Sequence, residues 1–243
     1  MESLSYLSKA AAHISHLEHA TNDQLTTISR TIAKRLSSGG IIHLFGCGHS
    51  SLLAQEPYYR AGGLVPVRPL IIEPLTLSQG AVQSSKYEKT DHFVHEYLVK
   101  EDIRKEDVVI IISTSGRNPA PIDTAAYARE CGAYVIGLLS AEYAVTQPSR
   151  HHSGKRLEDV VDTVIDTQIA VGDAAVKEEG ISEAFAPLSS VVGIALIQDL
   201  LAKTIVSLKE MGEDPPIFRS GNVDGADEHN RKLVERYRDR IEF

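Results

Sequence analysis

Twice along the chain a short apolar run ends in a turn of glycine and hydroxyl residues that opens onto a helical pattern. Residues 41–45 lead into Gly46-Cys47-Gly48-His49-Ser50-Ser51, and residues 108–112 lead into Ser113-Thr114-Ser115-Gly116-Arg117-Asn118. The second run, apolar at every position, suits a strand covered on both faces, the habit of parallel sheets joined by helical crossovers. The turn leaving such a strand exposes backbone N–H groups at a helix start, where the dipole favours negative charge. Glycine lets a ligand approach the backbone closely, and Ser and Thr hydroxyls rotate to donate to it. In an open parallel sheet, ligands sit beyond the carboxyl ends of the strands, so the two turns together describe one anion site. Taken singly, each is also compatible with an ordinary strand-to-helix turn that uses Ser or Asn as an N-cap.

The rest of the chain fills in the alternation. Apolar residues at helical spacing (Leu4, Leu7, Ala11, Ile14, Leu17, then Leu25, Ile28, Ile32, Leu36) predict a helical lead-in over residues 1–37, broken or capped at Thr21-Asn22-Asp23. Helices are expected at 50–61 (closed by Gly62-Gly63), 93–100, 119–131, 187–211 and 226–240. Further strands are expected at 64–72, where Pro66 and Pro69 suit an edge, at 134–139 and at 160–165. Residues 75–90 are polar and ambiguous. Right-handed crossovers between these strands build an α/β fold with a mostly parallel sheet. The organisation expected is the lead-in, packed on the core or on a partner subunit, an α/β domain over 38–212, and a C-terminal loop and helix over 213–243.

Composition narrows the function classes. A net charge of -8 and a pI near 5.7, with no basic run, argue against nucleic acid as a partner. An acidic chain still binds a phosphorylated metabolite, because local donors hold the phosphate. The two cysteines, Cys47 and Cys131, have no framework spacing and fit a reducing cytoplasm. The first residues carry no basic n-region or apolar h-region, and no consecutively apolar stretch reaches the ~18 residues of a membrane span. The expectation is therefore a cytoplasmic protein without membrane contact. His13, His16 and His19 drift around a helix with no partner to complete a metal set, Asp224 to Asn230 lacks the spacing of a calcium loop, and no metal or cofactor is expected.

Over about residues 35–210 the chain resembles the SIS (sugar isomerase) domain family, most specifically in Gly-Cys-Gly-His-Ser-Ser and Ser-Thr-Ser-Gly-Arg-Asn. The later segments Ser149-Arg150-His151-His152-Ser153-Gly154-Lys155-Arg156-Leu157 and 215–230 resemble a bacterial subfamily of phosphoheptose isomerase-like proteins. The resemblance implies a flavodoxin-like three-layer α/β/α sandwich on a five-stranded sheet, a phosphosugar ligand and a homodimer or higher homo-oligomer. It assigns Ser113, Thr114, Ser115 and Asn118 to the phosphate grip, and Ser50 and Ser51 to the sugar or phosphate; Gly48 and His49 of the same loop are binding candidates beside them, His49 either donating to a phosphate or sugar oxygen or filling the turn.

Aldose–ketose isomerisation moves a proton between adjacent carbons and needs a carboxylate or imidazole base. The family's acidic position on the helix after the first loop falls on Arg60, with Glu56 one turn earlier. The long helix near 191–208, where the family carries a histidine, holds Gln198, Asp199 and Lys203 instead. The acid/base candidates are therefore Glu56, Glu73 at a strand exit, and His151 in the Ser/Gly-rich segment. An isomerase acting on a sugar phosphate is the reading these residues favour. A sugar-phosphate lyase or etherase, and a non-catalytic phosphosugar sensor, are the alternatives.

Overall fold

The computed structural model describes residues 6–243; Leu4, at the head of the lead-in pattern, lies outside them. In chain order the elements are α1 (Tyr6–Ser37), β1 (Ile42–Gly46), α2 (Ser50–Gln55), β2 (Val67–Pro69), α3 (Ala81–Glu88), α4 (His95–Leu98), β3 (Val108–Ile112), α5 (Pro119–Glu130), β4 (Tyr134–Leu139), α6 (Glu142–Thr146), β5 (Thr163–Asp166), α7 (Ser189–Glu210) and α8 (Ala226–Tyr237). The five strands form one sheet in the order β2-β1-β3-β4-β5. Every pairing is parallel, with Ile42 beside Val67 and Val108, Val108 beside Tyr134, and Ile136 beside Thr163.

Alternation along the strands divides the core in two. Ile42, Leu44, Ile110, Ile112, Ile136 and Leu138 pack with Leu17, Leu25 and Ile32 of α1, Leu53 of α2, and Leu196 and Leu200 of α7. Phe45, Val109, Ile111, Val135 and Leu139 face the opposite layer, with Leu98 of α4 and Ile122 and Ala125 of α5. The result is the three-layer sandwich. α7 is apolar and long enough, by composition and length, to cross a membrane; Val192, Leu196, Ile197, Leu200 and Leu201 place its apolar face in the core instead.

Two helix expectations change on folding. The lead-in is one continuous 32-residue helix, because the polar residues at the supposed break bond along it. Thr21 Oγ1 donates to Leu17 O at 2.8 Å, while the carbonyls of Asn22 and Asp23 accept from Thr26 and Thr27. α2 stops at Gln55 rather than running to residue 61, since Pro57 supplies no N–H to continue the ladder and Tyr59 turns to a φ of +46°. The histidines of the lead-in hold the chain after β5: His13 Nε2 lies 2.8 Å from Thr167 O and His16 Nε2 3.0 Å from Gln168 Oε1.

The amino end of the sheet carries a buried polar knot. Asp107 and His43 are both fully buried. Asp107 accepts from Ile41 N–H at 2.9 Å, Arg104 N–H at 2.8 Å, His43 Nε2 at 3.2 Å and Arg240 Nη2 at 2.7 Å. Burial opposes its ionisation, yet the hydrogen bonds from His43, Ile41 and Arg104 together hold its carboxyl below the ordinary range. Through Arg240 this knot ties the C-terminal segment to the sheet.

Candidate functional site

The sheet order places a topological switch point between β1 and β3, which leave in opposite directions to β2 and β4. Ligands of open α/β sheets bind at that crevice. A cleft of about 500 Å³ occupies it, lined by Gly48, His49 and Ser50 from the first loop and by Ser113, Thr114 and Ser115 from the second.

Glycine conformation builds both loops. Gly48 and Gly116 adopt φ of +55° and +59°, the left-handed region that other residues enter at a cost. Gly46 lies against Ser50, whose carbonyl would stand 2.5 Å from an added Cβ. In the second loop Ser113 N–H is bound to Leu138 O and Gly116 N–H to Ser113 O. Among the described residues, neither the N–H groups of Thr114 and Ser115 nor the hydroxyls of Ser50, Ser113, Thr114 and Ser115 have a protein partner. These free donors sit ahead of the twelve-residue helix α5, whose first turn carries no acidic residue, so its dipole adds to them. Buried Arg156 braces the loop from behind, donating to Ser115 O at 2.6 Å and to the Gln147 carbonyl.

Ser51 and Asn118 stand behind the lining. Ser51 Oγ donates to Gly48 O at 2.7 Å and shapes the first turn. Asn118 Nδ2 donates to Glu88 Oε1 at 2.7 Å, and its own carbonyl accepts from Arg150 at 3.3 Å. Glu56, Glu73 and His151 are not among the cleft residues. Glu56 pairs with Arg60 and accepts from Gln198 Nε2 at 2.6 Å. Glu73 is exposed and begins a 3₁₀ turn. His151 Nε2 lies 2.9 Å from Asp123 Oδ1.

The cleft also gathers groups that sequence reasoning missed: Ser84, Ser85 and Glu88 from α3, Tyr143 from α6, Asp173, and Ser189 and Ser190 at the start of α7. Asp173 is committed to capping α7, accepting from the N–H groups of Leu188 and Ser189 and from Ser189 Oγ at 2.5 Å. Glu88 is the other carboxylate of the cleft lining. Burial raises its pKa, only partly offset by the Asn118 hydrogen bond and by the charges of Lys89 and Arg150. Cys47 lies beside it, and burial, reinforced by the Glu88 charge, pushes its thiol well up and keeps it protonated. The spacing of Ser84 and Glu88, four residues apart in the polar stretch after Gly80, was the one sequence signal for this wall.

Residues 5–140 match the family model described as the SIS domain. A UPF0309 protein of Geobacillus thermodenitrificans is 51% identical over 219 residues, spanning 90% of this chain and 88% of that one. A UPF0309 protein of Listeria innocua is 47% identical over the same length, spanning 90% and 89%. Among solved structures, phosphoheptose isomerase from Neisseria gonorrhoeae superposes with a TM-score of 0.57 at 16% identity, covering 82% of this chain and 95% of that one. A phosphoheptose isomerase from Francisella tularensis gives 0.52 at 15% identity, covering 82% and 94%. At these identities the likeness is one of fold.

Proposed function

The chain belongs to the SIS-domain family, and from that premise we propose that it binds a phosphosugar in the cleft and isomerises it between aldose and ketose. The observation that carries this reading is the meeting of two sets of unpartnered donors with one pKa-raised carboxylate at the sheet's switch point. The phosphate takes the N–H groups of Thr114 and Ser115 and the hydroxyls of Ser113, Thr114 and Ser115, at the positive end of α5. Ser50 and His49 meet the sugar, His49 as the acid that opens its ring. Glu88 then removes the proton from C2 of the open-chain aldose and returns it to C1, while the proton of the C2 hydroxyl passes to the C1 oxygen, through an enediol. A pKa raised above that of an ordinary glutamate by burial makes Glu88 a stronger base.

A thermal-shift screen tests the binding step. Sugar phosphates near a hundredfold above Kd are expected to stabilise the fold by about 2.7 kcal/mol, a rise of roughly 5–10 °C in Tm, while the unphosphorylated sugars leave it unchanged. The double variant Ser113→Ala with Ser115→Ala is expected to lose affinity on the order of a hundredfold or more by calorimetry, since each hydrogen bond to a charged group is worth about 1.5–3 kcal/mol. Unchanged affinity in that variant refutes the phosphate grip. Binding by the native protein without turnover assigns the cleft to sensing instead.

A further inference from the structure

Away from the cleft, three histidines and two aspartates from distant parts of the chain converge. Asp91, His151 and His152 each present one ligand atom, all within 4.8 Å of one another. His152 Nδ1 lies 3.1 Å from Asp91 Oδ1, and the His151 and His152 rings stand 4.1 Å apart. His92 brings a third imidazole to the group, its ring 4.7 Å from that of His152. We propose that Asp91, His151 and His152, with His92 beside them, bind a divalent transition-metal ion of the zinc class.

The donor chemistry selects that class. Imidazole nitrogens with a carboxylate suit zinc and its neighbours in the first transition row, whereas magnesium and calcium take oxygen shells. His151 is already oriented as metal-bound histidines are, with one ring nitrogen held by a carboxylate. Its side chain is only 8% exposed and Nε2 lies 2.9 Å from Asp123 Oδ1. A proton on Nε2 leaves the lone pair on Nδ1, which accepts from Ser153 N–H at 3.2 Å and lies 2.7 Å from the Ser153 hydroxyl, so a metal ion takes the place of these donors. The same Asp123 fixes the opposite wall, accepting His92 N–H at 2.8 Å. His92 is held there at a φ of +61°, a conformation uncommon outside glycine that is sustained only where surrounding contacts demand it. The ion would join the turn at 91–92 to the loop at 149–154. Arg150 in that loop holds Asn118, and Asn118 holds Glu88, so the site braces one wall of the cleft.

Untagged protein titrated with zinc chloride against a chromophoric chelator is expected to take up one Zn²⁺ per chain, with excess Mg²⁺ or Ca²⁺ failing to displace it. Asp91→Asn with His152→Ala is expected to abolish that uptake, and Asp123→Asn to weaken it roughly 10- to 100-fold. His152→Ala alone, at an exposed side chain, serves if the double variant does not fold. X-ray absorption at the zinc edge is expected to show imidazole scattering. Absence of uptake, equal affinity in native and variant protein, or displacement by Mg²⁺ overturns the site. None of these results bears on phosphosugar binding, which is measured separately.

Discussion

Glu88→Gln is expected to lower kcat by roughly 10²–10⁴-fold, the usual contribution of a positioned general base, with little change in KM for the sugar phosphate. Glutamine keeps the shape and can still accept from Asn118 Nδ2, the donor that holds Glu88 Oε1 at 2.7 Å. It removes only the ionisable oxygen. Because burial raises the Glu88 pKa, ionising it costs the folded state. The sign follows: above the pKa of an unfolded glutamate, about 4.3, the native protein carries a penalty that glutamine lacks. The variant is therefore expected to be as stable as the native protein or more so, while losing turnover. The acidic limb of the native kcat/KM profile is expected to fall above the range of a free glutamate, with rate lost as pH drops through it. Full turnover by Glu88→Gln, or an acidic limb at the position of an ordinary carboxylate, rules out Glu88 as the base.

Asp107→Asn carries the largest expected loss of stability. Asp107 is fully buried among His43, Arg240 and the N–H groups of Ile41 and Arg104. An asparagine turns one acceptor into a donor facing donors and leaves a guanidinium without its buried counter-charge. Breaking such a pair from one side costs about 3–5 kcal/mol, on the order of 10 °C in Tm for a chain of this size. Asp102, half exposed at 50% and also paired with Arg240, provides the comparison. Asp102→Asn is expected to cost less than about 1 kcal/mol. The native carboxyl is held below its ordinary value, so its stabilisation is present above the unfolded pKa of about 3.9 and is lost as pH falls through the folded one. Urea unfolding at neutral and acidic pH measures both effects. A cost for Asp107→Asn no larger than that for Asp102→Asn shows that the knot does not hold the C-terminal segment.

Where structure depends on neighbours in the chain, the sequence was a good guide. β3 and β4 fall at residues 108–112 and 134–139 as expected, because both runs are rich in β-branched and aliphatic residues and each ends at a serine. The two loops were legible because glycine and hydroxyl residues act through their own backbone. Glu56 and Arg60 were placed by counting along a helix that Pro57 ends early, so they meet each other instead of the cleft. Glu88 was hidden because α3 sits in a polar stretch without strong periodicity, and the cluster at Asp91, His151 and His152 because its members are far apart in sequence.

The sequence by itself determined the alternation, the parallel sheet and the two donor loops, since propensity, apolar runs and turn chemistry are local. Only the tertiary structure decided which carboxylate faces those loops, which histidines stand together and which charges are buried. These depend on how elements distant in the chain pack, and burial and proximity, not residue type, set the chemistry of a titratable side chain.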